Sequence, residues 1–350
     1  MPETPLPFVS VVMPVRNEVA FVERSLGAVL AQDYPADRME VIVVDGCSVD
    51  GTLEILKRYQ AADPRLVILS NPAQIVPPAL NIGIRHARGD VVIRVDGHTV
   101  IAPDYVRKCV EYLQRDDVDN VGGLMRPVGE TYFGRAVALA TSSPFGIGNS
   151  KFHYSEKEQS VDTVYLGAYP RQVFDRIGLF DERFVVNQDY ELNYRLRAAG
   201  GRILCTPEIR SVYYCRESPA ALGRQYFRYG FWKVHTLRKH PRSLKIRHLA
   251  APTLVAGIVT LAILGLGLQP MWYLLALGAA LYLALAAAFA FARVIKTRSL
   301  DLWPGVVIAF LTLHLAWGTG FWVGVLRSLL GLGSGEDPPR EPTRSSDQTR

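Results

Sequence analysis

Apolar strand-like runs alternate with amphipathic stretches over residues 8–130. Runs rich in β-branched side chains predict strands, and stretches with apolar positions at helical spacing predict helices. The predicted strands are Phe8–Val15, Glu40–Val44, Leu66–Leu69 and Asp90–Val95, and the predicted helices are Val19–Gln32, Gly51–Ala62 and Pro77–Ala87. Because strands that alternate with helices form mostly parallel sheets covered on both faces, the sequence predicts an α/β, Rossmann-like fold.

The hydropathy changes near Leu249. Three long apolar runs follow at residues 249–268, 271–292 and 302–326. Each run is long enough to cross a hydrocarbon core of about 30 Å as a helix. Buried core helices are the alternative, but three such runs so close together favour transmembrane helices. The polar, proline-rich tail at residues 327–350 is predicted to be disordered.

Positive charge is concentrated directly before these apolar runs. The chain has 39 Lys+Arg and 33 Asp+Glu, a net charge of +6, yet residues 218–300 contain no acidic residue. The basic residues of this stretch include Arg224, Arg228, Lys233, Arg238, Lys239, Arg242, Lys245 and Arg247. A basic block before an apolar span indicates an anionic membrane surface rather than nucleic acid. We therefore divide the chain into a domain at 1–217, a basic amphipathic interface segment at 218–248 and two to three transmembrane helices at 249–326.

The same charges predict an orientation. The first two apolar runs form a hairpin, and Arg293, Lys296 and Arg298 follow it on the side that the positive-inside rule assigns to the cytoplasm. The first ten residues lack the basic and apolar regions of a signal peptide. The four cysteines show no C-x-x-C spacing, which fits a reducing compartment. These features predict a multi-pass protein of the inner (cytoplasmic) membrane with its N-terminal domain in the cytoplasm, and leave the third crossing open.

Polar side chains follow the predicted strands. Asp45 ends the second strand, Asp96 and His98 follow the fourth, and the end of the first strand carries Pro14, Arg16, Asn17 and Glu18. Ligands of open α/β sheets bind at the carboxyl ends of the strands, so these residues are candidates for one site. Asn17 and Glu18 could instead cap the following helix.

Asp96 and His98 are candidate metal ligands. Residues two apart in an extended chain project to one side, so the two side chains are able to face a common point. A carboxylate and an imidazole suit Mn²⁺ or a comparable divalent ion, with phosphate oxygens and water as the remaining ligands.

Four segments carry a family resemblance: PVRNE, VVDGCSVDGT, RVDGH and NQDYELNYRLRAAGGRI. In this order they resemble the family-2 inverting glycosyltransferases with the GT-A fold, over roughly residues 8–235. The most similar members are membrane-bound enzymes of succinoglycan-type exopolysaccharide synthesis. The resemblance implies that Asp45 contacts the nucleotide base, that the Pro14–Glu18 loop lines the nucleoside, and that Asp96 holds Mg²⁺ or Mn²⁺ on the donor diphosphate. His98 stands where the usual Asp-x-Asp motif has its last aspartate.

Asp189 matches the catalytic base of that family, in a Gln188-Asp189 pair where Glu-Asp is more common. An acceptor hydroxyl has a pKa far above 7, so it needs a positioned carboxylate to take its proton during attack. The leaving nucleoside diphosphate needs no proton if a metal neutralises its charge. The alternative role of Asp189 is that of a first-turn helix acid favoured by the helix dipole.

Two further segments resemble acceptor-side elements. Gly167 and Ala168 would let the backbone approach a substrate closely, within an irregular acceptor-facing region at 131–180. Gln225, Arg228 and Tyr229 are similar to the Gln-x-x-Arg-Trp motif of polysaccharide synthases, in which an arginine pairs with a diphosphate and an aromatic ring stacks on a sugar. A basic, aromatic membrane-surface helix explains these three residues equally well.

The resemblance implies a sugar nucleotide donor, with UDP-sugars favoured, and a polyprenyl-diphosphate-linked saccharide acceptor. Membrane lipids and other polysaccharide-assembly enzymes are the expected partners, and nucleic acid is not. A processive polysaccharide synthase is one alternative, although two to three transmembrane helices are few for a conduit that passes the product through the membrane. A catalytically silent scaffold that binds sugar nucleotides is another, and Asp45, Asp96 and Asp189 together argue against it. A nucleotidyltransferase on a similar sheet would leave Asp189 unexplained.

Overall fold

The computed structural model describes residues 6–148 and 150–332. These residues form two compact units. The sheet unit comprises residues 6–126 and 151–213, and the helical unit comprises residues 127–148, 150 and 214–332. Most of the predicted disordered tail, from residue 333 onward, lies outside the described residues.

The strands are β1 (Val9–Val15), β2 (Met39–Asp45), β3 (Leu66–Ser70), β4 (Val91–Arg94), β5 (Thr99–Ile101), β6 (Asn120–Val128), β7 (Gln159–Ser160), β8 (Tyr165–Pro170) and β9 (Ile203–Tyr214). The helices are α1 (Val22–Leu30), α2 (Thr52–Ala62), α3 (Val76–His86), α4 (Tyr105–Leu113), α5 (Tyr132–Thr141), α6 (Pro144–Ile147), α7 (Gln172–Ile177), α8 (Gln188–Ala198), α9 (Pro219–Lys239), α10 (Ala250–Gly265), α11 (Pro270–Thr297) and α12 (Trp303–Leu329).

The strands form one sheet in the order β3-β2-β1-β4-β8-β6-β9-β5, with β7 paired to β9. The pairs β1–β2, β2–β3 and β1–β4 are parallel. β8 pairs antiparallel with both β4 and β6, and β9 pairs antiparallel with β5 and β7. The sheet is therefore mixed. The parallel part corresponds to the predicted strands, whereas the antiparallel part was not predicted.

The apolar runs of β1 and β2 are buried on both faces of the sheet. Alternate residues enter different clusters: Val11 and Val41 pack with α1 and α4, while Val12 and Ile42 pack with α3 and α8. This period of two is that of a strand with both faces covered. The prediction of helices on both faces is confirmed, and the predicted strand and helix bounds agree with the structure to within three residues.

Glu40 belongs to β2, and its buried carboxylate contacts the segment before β4. Its Oε1 atom accepts hydrogen bonds from Ser10 Oγ (2.6 Å) and from the backbone N–H of Arg88 (2.7 Å), and its Oε2 atom accepts one from Arg88 Nε (2.9 Å). Burial favours the protonated form, but these hydrogen bonds outweigh it and lower the pKa of Glu40 below its ordinary 4.5. The carboxylate therefore ties three segments of the sheet unit together.

This network predicts a loss of stability in acid. A carboxyl whose pKa is lower in the folded state stabilises the fold above its unfolded pKa, and this contribution disappears as the pH falls through the folded pKa. We expect the unfolding temperature to fall as the pH drops below the ordinary value of 4.5, and to fall less steeply in Glu40→Gln. Glu23→Gln is the control, because Glu23 is exposed and lies 3.8 Å from Arg58. Equal slopes for wild type and Glu40→Gln in thermal scans would contradict the expectation.

The helical unit contains three helices that are long and apolar enough to cross a membrane, at Ile246–Gly265, Pro270–Thr297 and Leu300–Leu329. They match the three apolar runs of the sequence. Most of their large apolar side chains are exposed on α10 and α11, including Ile263 and Leu281. Such surfaces suit contact with lipid rather than water.

The short helix α6 packs into this group of helices. Phe145 stacks on Phe289 of α11 with ring centroids 4.6 Å apart and meets Phe310 of α12 edge-on at 4.8 Å. His314 of α12 lies 2.8 Å from the carbonyl oxygen of Phe145 and 2.7 Å from the hydroxyl of Tyr282. Both ring nitrogens of His314 are thus used inside the unit, so its role is structural.

Glycines allow α9 and α12 to approach at backbone distance. A Cβ at Gly320 would collide with the carbonyl oxygen of Phe227, and a Cβ at Gly230 would collide with that of Trp317. Gly324 lies against the carbonyl oxygen of Phe231 in the same way. Small residues at a helix crossing let the two backbones touch.

We expect Gly320→Leu to lower the unfolding temperature of the detergent-solubilised protein by several degrees, since the new side chain would force α9 and α12 apart. Gly278→Leu in α11 is the matched control, because a Cβ there meets no atom within 4 Å. A tryptophan-fluorescence thermal scan checks the difference. Equal effects of the two substitutions would show that the close crossing does not stabilise the unit.

Candidate active site

The loops that follow β1, β2 and β4 meet at one edge of the sheet. Val15 at the end of β1 pairs with Asp45 at the end of β2, and β4 runs parallel to β1 on its other side. Parallel strands place their carboxyl ends at the same edge. The structure thus brings together Pro14–Glu18, Asp45 and the Asp96–His98 turn.

Asp45 is held rigidly at this edge. It is 5% exposed, and its carboxylate accepts hydrogen bonds from Ser48 Oγ (2.5 Å) and the Ser48 N–H (3.1 Å). Ser48 Oγ also accepts from the N–H of Asn17 (2.9 Å), whose side-chain oxygen accepts from the N–H of Val49 (2.9 Å). Asn17 has a φ of 52°, so the loop turns sharply after β1. The first two loops therefore form one hydrogen-bonded floor.

Arg16 links this floor to the segment after β3. Its Nη2 atom donates to the side-chain oxygen of Gln74 (2.7 Å) and its Nη1 atom donates to the Gln74 carbonyl oxygen (3.2 Å). A Cβ at Gly46 would lie 3.1 Å from Arg16 Cβ, so Gly46 leaves room for the arginine to cross the loop. A larger residue at position 46 would crowd Arg16.

Glu18 and His98 form a pair beside Asp96. The Nδ1 atom of His98 lies 2.8 Å from Glu18 Oε1, which leaves Nε2 as the ring nitrogen on the opposite side. A carboxylate that fixes one nitrogen of a histidine commonly orients the other toward a metal. No group of three or more His, Cys, Asp or Glu residues within residues 6–148 and 150–332 forms a ready metal site. A divalent ion on Asp96 and His98 therefore stays a prediction, and it would take its other ligands from substrate phosphates.

Arg94, the last residue of β4, is bonded to one candidate aspartate and lies near another. Its Nε atom donates to Asp96 Oδ1 (2.7 Å) and its Nη2 atom donates to Asp96 Oδ2 (3.2 Å), with both side chains 13% exposed. Burial opposes the charge of Arg94, yet the carboxylates of Asp96 and Asp189 raise its pKa. Arg94 is therefore a permanent buried cation that is hydrogen-bonded to Asp96 and attracts Asp189 at longer range.

Asp189 lies in the first turn of α8. Asn187, directly before this helix, has a left-handed φ of 65°, and Asp189 Oδ1 accepts a hydrogen bond from the N–H of Tyr190 (2.8 Å). Two residues on, Glu191 is fully buried and pairs with Arg195 at 2.9 Å. The structure thus separates a half-buried acid near Arg94 from a structural acid inside α8.

The remaining site residues of the sheet unit are buried. Gly167 and Ala168 lie in β8, where a Cβ at Gly167 would collide with the side chains of Tyr169 and Asn120. Gln188 is 8% exposed at the start of α8. Gly167 is thus required for packing against Tyr169. This requirement is independent of any approach of its backbone to a substrate.

Gln225, Arg228 and Tyr229 lie on α9 of the helical unit. The side-chain amide of Gln225 donates to the hydroxyl of Tyr229 (2.9 Å), one helical turn away. Arg228 instead lines a cavity with Arg224 and Phe227. Of the three motif residues, Arg228 is the one that lines this cavity.

Comparison with known proteins identifies the family. The model of the family described as Glycosyl transferase family 2 matches residues 10–178. Succinoglycan biosynthesis protein ExoA of Rhizobium meliloti (strain 1021) is 30% identical over 319 residues, which cover 89% of this chain and 93% of that protein. The chain belongs to glycosyl transferase family 2.

Other family-2 relatives extend the comparison. A dolichyl N-acetyl-alpha-D-glucosaminyl phosphate 3-beta-D-2,3-diacetamido-2,3-dideoxy-beta-D-glucuronosyltransferase of Methanococcus voltae is 30% identical over 240 residues, 66% of this chain and 74% of that protein. Among solved structures, the mannosyltransferase PcManGT from Pyrobaculum calidifontis, in complex with GDP-Man and Mn²⁺, shares the fold. Its TM-score is 0.61 at 24% identity, over 89% of this chain and 88% of that one. The GT-A fold with C-terminal apolar helices is thereby confirmed.

Within this family-2 site, sequence reasoning overlooked Arg94. The signal was present, because an arginine interrupts the apolar run VVIRV two residues before Asp96. Alternate residues of a strand share a face, so Arg94 and Asp96 were bound to be neighbours. A charge inside a buried strand needs a partner, and here Asp96 is that partner.

Proposed function

We propose that this family-2 glycosyltransferase moves a sugar, with inversion, from a nucleotide diphosphate sugar to a saccharide carried on a polyprenyl diphosphate. The observation that carries the proposal is the buried cation of Arg94, which is hydrogen-bonded to Asp96 and interacts electrostatically with Asp189, because it couples a donor-side carboxylate to a candidate base. The relative in succinoglycan biosynthesis and the relative named for a dolichyl-linked sugar phosphate support a glycan acceptor on a lipid. A role in exopolysaccharide or envelope glycan synthesis follows.

In this mechanism Asp189 takes the proton of the acceptor hydroxyl as that oxygen attacks the anomeric carbon. The new glycosidic bond forms on the side opposite the bond to the diphosphate. That bond breaks, and the nucleoside diphosphate leaves with its electron pair. An α-linked donor therefore yields a β-linked product. Asp45 and the Pro14–Glu18 loop bind the nucleoside, for which UDP is favoured, and their hydrogen-bonded floor keeps it fixed.

Asp96 and His98 would hold Mg²⁺ or Mn²⁺ on the donor diphosphate. Such an ion, when bound, neutralises the charge that develops on the leaving group. Glu18 would orient His98 for this role, and Arg94 would hold the Asp96 carboxylate by both oxygens. Each carboxylate oxygen has two lone pairs, so contact with Arg94 does not prevent metal binding. The complex of PcManGT, which shares the fold, with GDP-Man and Mn²⁺ supports a divalent ion beside the sugar nucleotide.

The helical unit would hold the enzyme in the inner membrane. The turn between α10 and α11 carries no charge, whereas Arg293, Lys296 and Arg298 lie near the C-terminal end of α11. The positive-inside rule then places the basic segment 218–248 and the sheet unit on the cytoplasmic side. Sugar nucleotides are cytoplasmic metabolites, so this orientation supports the proposed donor.

The experiment measures release of nucleoside diphosphate from a panel of sugar nucleotides by purified membranes, with Mn²⁺ or with EDTA. One donor that turns over only with the metal and a lipid-linked acceptor would support the proposal. Donor binding without turnover, even when lipid-linked acceptors are supplied, would favour the catalytically silent scaffold. Many sugars added per binding event would favour the processive synthase.

A further inference from the structure

A cavity of about 460 Å³ lies within the helical unit, between α9 and α12. Its walls are formed by Arg224, Phe227, Arg228, Leu315, Ala316 and Thr319. Residues three and four apart share one face of a helix, so the α9 side chains point to α12 as a group. The cavity therefore has a mostly apolar wall, to which the exposed Arg224 and the half-buried Arg228 also contribute.

The two arginines have no counter-charge of their own. Neither Arg224 nor Arg228 forms an ion pair with another residue in the described part of the chain, and the Nε atom of Arg228 is buried without a hydrogen-bond partner. No acidic residue occurs from residue 218 to residue 300. A partly buried guanidinium without a partner favours an anionic ligand, and its planar fork matches phosphate oxygens.

The apolar wall leads onto an exposed stripe of α12. Leu315 is 38% exposed, and the stripe also contains the exposed residues Ile308, Trp322 and Leu329, each separated by two helical turns. α12 is long and apolar enough to cross a membrane. A hydrocarbon chain that leaves the cavity along this stripe would thus remain in a lipid environment.

We propose that this cavity binds the diphosphate and the first isoprenoid units of the lipid-linked acceptor. Arg224 and Arg228 pair with the phosphate oxygens by charge-assisted hydrogen bonds. Phe227, Leu315 and Ala316 pack against the isoprenoid chain, which continues along the stripe. The presence of a saccharide on this lipid rests on the proposed function. The binding of the lipid diphosphate itself does not depend on sugar transfer.

The test uses the full-length protein in nanodiscs of neutral lipid and a fluorescent analogue of farnesyl diphosphate as the probe. We expect Arg228→Gln to weaken binding of the probe by about tenfold, the usual loss for one charge-assisted hydrogen bond. Arg238→Gln is the matched control, since Arg238 is an exposed arginine of the same helix outside the cavity. It is expected to change the affinity by less than about twofold, as a screened surface charge does.

Ala316→Phe tests the apolar part. The larger ring should fill the cavity near the isoprenoid, weakening farnesyl diphosphate while leaving the affinity for inorganic pyrophosphate unchanged. Farnesol, which lacks the phosphates, should compete poorly. Arg224→Gln serves as a second charge variant if Arg228→Gln unfolds, as judged by its unfolding temperature.

Two outcomes overturn the assignment. If Arg228→Gln and Arg238→Gln weaken the probe equally, the attraction is a general surface effect. If phosphatidylglycerol vesicles displace the probe as well as farnesyl diphosphate does, the cavity binds bulk anionic lipid. The binding assay contains no sugar nucleotide, so it tests the cavity separately from sugar transfer. Metal-dependent transfer without binding of the probe refutes the cavity assignment alone. Binding of the probe without transfer refutes the proposed function alone.

Discussion

Replacing Asp189 with asparagine is expected to lower kcat for sugar transfer by about 1,000-fold, within the usual contribution of a general base. Asparagine keeps the size of the side chain and its place in the first turn of α8, but it does not accept the proton of the acceptor hydroxyl. The affinity for the sugar nucleotide should stay near that of the wild type, because the change acts on the transition state. Nucleoside diphosphate release and a donor titration measure the two quantities separately.

The expected loss distinguishes catalysis from helix stabilisation. If Asp189 served only the dipole of α8, its removal would cost about 1 kcal/mol of stability and leave kcat per folded molecule unchanged. Asp175→Asn, which neutralises an exposed carboxylate of α7, is the control and should retain wild-type turnover. If Asp189→Asn keeps a tenth or more of the wild-type kcat, the loss is too small for the removal of a general base. The base would then be another residue.

The parallel part of the sheet could be predicted because its pattern is local. The runs VSVVMPV and MEVIVVD are buried on both faces, so nearly every residue is apolar and the strand stands out from its neighbours. The polar residues at their ends then follow from topology, since parallel strands end at one edge. Asp45, Asp96 and the Pro14–Glu18 loop were found together for this reason.

Other features depend on pairings that no local pattern contains. β8 lies between β4 and β6 although it follows β4 by some 70 residues, and its glycine and proline weaken the strand signal. Residues 127–148 belong to the helical unit because Phe145 packs among distant apolar helices. The pairing of Arg224 with Arg228 at a cavity likewise requires the close crossing of α9 and α12, which glycines permit.

Removal of the Arg94 cation is expected to affect stability and turnover together. In Arg94→Met the Asp96 carboxylate loses its hydrogen-bonded partner in a buried setting, a loss that typically costs about 3 kcal/mol. Asp189 loses a nearby positive charge as well. For a unit of this size we expect the unfolding temperature to fall by roughly 5–10 °C. Transfer should fall by about 100-fold as well, because Asp96 loses the geometry that Arg94 imposes and Asp189 loses a nearby positive charge.

Two variants separate these effects. Arg65→Met removes a comparable partner, since Arg65 and Asp63 pair at 2.6 Å with both side chains 19% exposed, but this pair lies in the loop between α2 and β3. It should lower the unfolding temperature without changing kcat per folded molecule. Arg94→Lys keeps the charge but not the planar fork, so it should recover stability more fully than turnover. If Arg94→Lys restores stability and turnover equally, Arg94 supplies charge alone. If Arg94→Met retains wild-type turnover once corrected for the folded fraction, Arg94 positions neither aspartate.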